Sequence, residues 1–112
     1  ISPFSFADWG EVYYCQMTTF SETTLKGERT DYQLEKFQFK LDKTKNAMVF
    51  GKSGYFNSVE MELREEEALP SIEVWRAFFS SSASAFFAKG KMVYAYVSHK
   101  DVNSISADCD KF

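Results

Sequence analysis

The sequence is poor in the residues that make most enzymes recognisable. Its 112 residues hold one histidine, two cysteines, two prolines and five glycines. With a single imidazole, His99, and no G-x-S-x-G elbow, no nucleophile has a histidine base to work with. His99 stands beside Lys100 and Asp101 at the end of an apolar run and reads as an exposed turn residue. The ligand spacing of a zinc site is missing, and Asp108 and Asp110 flank Cys109 so that alternation sends both carboxylates away from the thiol. Gly51, Lys52, Ser53 and Gly54 lack the spacing and the following helix of a phosphate loop. Charge of one sign is lacking as well. The formal net charge is −3, and the lysines alternate with acids, which excludes the positive patch that nucleic acid or a membrane-surface helix would need. No apolar run approaches the roughly 20 residues of a membrane-spanning helix. The expectation is a soluble, non-enzymatic domain without metal or cofactor.

Aromatic residues are what the chain has in excess. Twelve Phe, six Tyr and two Trp make up 18 % of it and outnumber Leu, Ile and Val together. A hydrophobic content of 45 % gives a single domain over 1–112 a core, with 1–9 as an N-terminal extension. Nothing resembles a linker or a repeat; the Ser-rich patch Ser80–Ser84 comes nearest.

Alternation dominates the pattern and predicts strands. The first covers Glu11 to Thr18 and continues toward Thr24. The second covers Asp31 to Lys43, where Phe37, Phe39 and Leu41 oppose Lys36, Gln38 and Lys40; Tyr32 and Leu34 have the other parity, which predicts a bulge near Glu35 and Lys36. Ala47–Phe50, Tyr55–Glu65, Ile72–Phe79, Ala85–Ala88, Lys91–His99 and Val102–Lys111 follow. Glu60 and Glu62 read as a solvated face opposite Lys36 and Lys40. Apolar residues occupy both faces of Lys91–His99, which points to a central or doubly covered strand. Helices over Glu60–Ala68, or over 71–79 with Ser71 as N-cap, are the alternatives. Short spacing between strands predicts an all-β antiparallel meander of about seven or eight strands, a small barrel resembling a lipocalin or a sandwich.

Cys15 and Cys109 fall in the first and last strands. If these strands are neighbours, a disulfide closes a loop of about ninety residues, worth about 4 to 5 kcal/mol by chain entropy. Such a staple belongs to an oxidising compartment, and the start at Ile1 without Met fits a removed signal peptide, so a periplasmic or secreted location is expected.

Adjacent aromatics must point to opposite faces of a strand. Of Phe78/Phe79 and Phe86/Phe87, one member each therefore leaves the core, and Tyr13/Tyr14 and Tyr55/Phe56 pose the same choice. Trp75, Phe78, Phe79, Phe86 and Phe87 are the candidate contacts for a small apolar ligand or a protein partner. An assembly component that oligomerises through this patch, or an inhibitor of an extracytoplasmic enzyme, is the alternative. In size, strand content and terminal cysteine framework the chain is similar to small envelope proteins that inhibit lysozymes; that similarity concerns architecture and carries over no functional residue.

Overall fold

Strands that alternate large apolar with charged side chains must remove one face from water, and here they do so by closing on themselves. The computed structural model describes residues 9–66, 74–80 and 82–111. Among them lie nine strands and no helix: β1 (Val12–Thr24), β2 (Arg29–Asp31), β3 (Lys36–Asp42), β4 (Ala47–Phe50), β5 (Glu60–Glu66), β6 (Val74–Ser80), β7 (Ala83–Ala88), β8 (Lys91–Val97) and β9 (Asp101–Lys111). From β3 onward each strand pairs antiparallel with the next, and β1 pairs with both β3 and β9. The result is a closed eight-stranded barrel. β2 is an extra strand on the far half of β1, continuing the edge that β3 occupies on its near half.

An eight-stranded barrel is just wide enough for side chains to fill. Tyr13, Phe37, Phe39 and Phe50 enter from β1, β3 and β4, and Ala77, Ala83 and Ala85 face them from β6 and β7. Small residues on one wall make room for rings from the other. Phe87 crosses the middle, edge-on to Tyr13 at 4.7 Å and to Phe39 at 5.1 Å. Trp9 packs edge-on against Trp75 at 5.0 Å, near one end. At the other, Phe56 drops in from the β4–β5 connection and meets Phe50 at 4.6 Å and Phe37 and Tyr94 at 5.0 Å.

The predicted bulge widens into four residues, 32–35, that belong to no strand. They bridge β2 and β3 and restore the inward parity of Phe37. Met17 N–H still bonds to the Glu35 carbonyl there, at 3.0 Å. Glu35 uses its freedom from the ladder to hold the Phe56 plug, since its Oε1 accepts the Tyr55 N–H at 2.9 Å.

The strand reading holds over Glu60–Glu66 and Val74–Ser80 against the helical alternatives, the two being paired to each other and the latter also to β7, while other expectations are corrected. The aromatic and β-branched residues of 74–79 favour that ladder over a helix; Ser71, the proposed N-cap, lies outside the described residues. Tyr55–Val59 is a turn before β5, with Gly54 and Ser58 at positive φ, because only a turn can insert Phe56 into the barrel. Glu60 bonds Lys45 at 3.0 Å, since β4 separates it from the lysines of β3. β8 is not doubly covered: Met92 and Tyr94 are inside, but Val93 and Val97 are exposed.

Cys15 and Cys109 sit directly opposite each other on β1 and β9, inside the barrel, and are joined by a disulfide with a Cα separation of 4.0 Å. The bond locks the seam where the two ends of the chain meet. Replacing both cysteines by alanine is expected to cost about 4 to 5 kcal/mol, from the loop-closure entropy of a 94-residue separation, read as a lower urea midpoint. An unchanged midpoint would contradict this role. Gly54 adopts a left-handed backbone (φ +80°), and a Cβ there would lie 2.8 Å from Glu35 Oε1, displacing the oxygen that holds the Tyr55 N–H. Gly54→Ala should therefore destabilise by about 1 kcal/mol or more, measured the same way.

Candidate functional site

The five aromatics singled out from the sequence divide among three places. Trp75 and Phe87, 3 % and 1 % exposed, are core. Phe78 and Phe86 stand on the outer face of β6 and β7. Phe79, 54 % exposed, stands at the barrel mouth, where a bulge between Phe78 and Ser80 interrupts β6–β7 pairing.

The outer face is ordered by the ladders, because residues paired across strands share a face. One row runs Arg76, Phe86, Val93, Ser106 across β6, β7, β8 and β9. The next runs Phe78, Ser84, Ala95, Ser104, and beyond it Val97 pairs with Val102. These ten positions contain no carboxylate. Phe86 and Val93 form a ridge, and Ser84, Ala95 and Ser104 a trough beside it, giving an open groove of about 380 Å³. Arg76 lies between two rings, its guanidinium carbon 4.6 Å from the centre of Phe78 and 5.3 Å from that of Phe86. The cation is attracted to both ring faces, which fixes the aromatics without adding an apolar neighbour. Beyond β9 the face continues in hydroxyls: Ser106 Oγ lies 2.9 Å from Thr18 Oγ1 and 2.6 Å from Thr19 Oγ1, and Ser104 Oγ lies 3.2 Å from Ser21 Oγ. These hydroxyls satisfy one another.

Phe79 belongs to a different feature, a shallow cup of about 250 Å³ at the mouth, shared with Tyr55, Phe56, Tyr94, Tyr96 and Asn103. Burial raises the Tyr94 hydroxyl well above the usual tyrosine range, and the neighbouring Tyr55 adds to the shift. On the same rim Glu22 accepts a bond from Tyr32 at 3.0 Å. A shared hydrogen bond between carboxyls raises Glu22 and lowers Asp101, which also accepts from Ser98 at 2.6 Å.

His99 is exposed in the β8–β9 turn, and Asp108 and Asp110 point outward while Cys109 is consumed in the disulfide. Among the described residues no group of three His, Cys, Asp or Glu side chains converges on a point where a metal ion could sit.

Sequence reasoning overlooked Arg76, Val93 and Val97. The signal was present in β8, whose apolar residues occupy both parities; its outer row completes the face that Phe78 and Phe86 begin. No protein-family model, curated protein or solved structure matches the chain.

The raised Tyr94 has a measurable consequence. In the unfolded chain this phenol ionises near pH 10, whereas the folded protein keeps it neutral. Its contribution to stability is complete below about pH 10 and is lost as the pH rises further. Urea unfolding across this range should show stability falling with alkalinity, and Tyr94→Phe should flatten that fall. An equally steep fall in the variant would contradict the assignment.

Proposed function

We propose that the protein is a non-enzymatic binding domain of an oxidising, extracytoplasmic compartment, and that it engages a protein partner through the outer face of β6–β9. One observation carries this reading: three consecutive rows on the outer face of β6–β9, ten positions without a carboxylate, present Phe78, Phe86, Val93, Val97 and Val102, with Arg76 set against the two rings. Contiguous apolar surface of this kind, built from aromatics and an arginine, has the composition of protein interfaces rather than of an ordinary solvated strand face. The trough of small side chains lets an approaching backbone lie close to the sheet, and the Phe86 ridge supplies an anchor. The disulfide supports the compartment, because such bonds persist where thiols are not kept reduced. A small apolar ligand in the barrel's centre is disfavoured by the rings that meet there, which leaves the mouth cup as the place for one.

The test places a photo-crosslinking amino acid at Phe86 and, separately, at Lys40 on the outer face of β3, in the cells that make the protein. A discrete adduct is expected from position 86, none from position 40, and loss of the adduct when Val93→Glu is added. Sedimentation of the purified wild type separates the oligomer alternative: a monomer is expected. Equal adducts from both positions, or an adduct indifferent to Val93→Glu, would overturn the proposal, and a stable dimer dissociated by Val93→Glu would replace the foreign partner with a second copy.

A further inference from the structure

The cup at the barrel mouth stands apart from the outer face of β6–β9. Buried Phe56, Met61 and Tyr94 make its floor, and Tyr55, Phe79 and Tyr96 its rim. Phe79 has the inward parity of Trp75 and Ala77, but at the bulge that follows Phe78 it stands on the rim, 54 % exposed. Tyr96 continues the inward row of Met92 and Tyr94 past the buried layers and is 36 % exposed; across the ladder it meets Asn103 of β9, which is half-buried. These three side chains are uncommitted. Among the described residues no ring or cation packs on Phe79 or Tyr96, and no hydrogen bond reaches the Asn103 amide. The remaining rim is fixed wall: Tyr55 packs edge-on against Phe20 and Phe56, each at 5.1 Å, and its hydroxyl engages that of Tyr94.

From this arrangement we infer a second binding site, for a small neutral aromatic molecule of one or two fused rings that packs on Phe79 and Tyr96 and places a hydrogen-bonding group on the Asn103 amide. Size sets the first limit. An apolar cavity of about 150 Å³ is enough for benzene, so a cup of about 250 Å³ accepts a substituted ring or a fused pair, and it falls short of the roughly 300 Å³ at which pockets for drug-sized ligands begin. Exposed rings reward a flat aromatic partner, offset-stacked or edge-on, beyond the area it buries. Charge sets the second limit. Among the described residues no charged side chain lines the cup. Glu22, the ladder partner of Asn103 on β1, and Asp101, two residues before Asn103, stand on the same face and share a hydrogen bond that keeps Asp101 ionised, so an anionic ligand is repelled. Tyr32, Ser98 and the neighbouring Lys100 already satisfy that pair, so it calls for no cation. The site is independent of the β6–β9 face, and its failure would leave that reading intact.

The probes are indole and p-cresol, both uncharged at neutral pH, with benzoate and hexanol as the anionic and aliphatic comparisons. Each is titrated into isotope-labelled protein while amide signals are followed by NMR. At least one of the two aromatics is expected to shift Phe79, Tyr96 and Asn103 saturably and to leave Phe86 and Val93 unmoved, with a Kd in the millimolar range or tighter for a ligand of about nine non-hydrogen atoms. Phe79→Ala should weaken binding by up to about tenfold and Asn103→Ala by about threefold or more, both with the wild-type melting temperature, because neither side chain belongs to the core. Phe79→Leu, which keeps apolar bulk but no ring, should show most of the Phe79→Ala loss. Absence of a saturable shift with both aromatics would overturn the inference. So would benzoate or hexanol binding as tightly as the aromatics, or affinities unchanged by Phe79→Ala and Asn103→Ala.

Discussion

Everything in this protein depends on the seam between β1 and β9. The two strands pair over eleven positions and bring together residues from opposite ends of the chain, with the Cys15–Cys109 bond near one end of the seam. Without that seam β1 and β9 would each expose an edge, and the inward rings would have no opposite wall. Closure removes the edges and at the same time sets a fixed internal volume. The remainder of the sequence is an answer to that volume.

The answer is asymmetric. Large rings come chiefly from β1, β3 and β4, and the facing wall of β6 and β7 is cut back to Ala77, Ala83 and Ala85, with Phe87 reaching across. Close packing of this kind tolerates neither an added nor a missing ring without cost. Phe56 and the Trp9–Trp75 pair add further rings near the two ends, and on the outside charge is distributed unevenly. β3 and β5 carry lysines and glutamates outward, whereas the middle rows of β6–β9 present rings, valines, alanine and serines beside Arg76, with the charges of Lys91, Asp108 and Asp110 confined to one end.

Much of this was legible in the residues, and the limits were physical. Period-two alternation located β4 and β9 almost to the residue, and the parity slip around Glu35 marked a real interruption, which cuts the expected Asp31–Lys43 strand back to Lys36–Asp42. The paired cysteines became a disulfide because both occur at the same inward parity on strands that closure makes neighbours. Tyr55–Val59 defeated the reading because an apolar residue plugging a barrel from a loop resembles one inside a strand. Alternation required one member each of Phe78/Phe79 and Phe86/Phe87 to leave the core; it holds for Phe86 over Phe87, but it could not say that Phe79 as well as Phe78 would stay out of the core, since that depended on a bulge.

The central claim is that the aromatic excess serves two purposes, rings filling a closed barrel and rings offered to a partner. It is tested most directly by labelling the phenylalanines with fluorine, assigning each signal by single substitution, and adding a soluble paramagnetic probe. The account predicts strong broadening for Phe79 and Phe86 and none for Phe37, Phe39, Phe50, Phe56 and Phe87. Broadening of Phe39 or Phe87 together with Phe86 would show an interior open to solvent and contradict it.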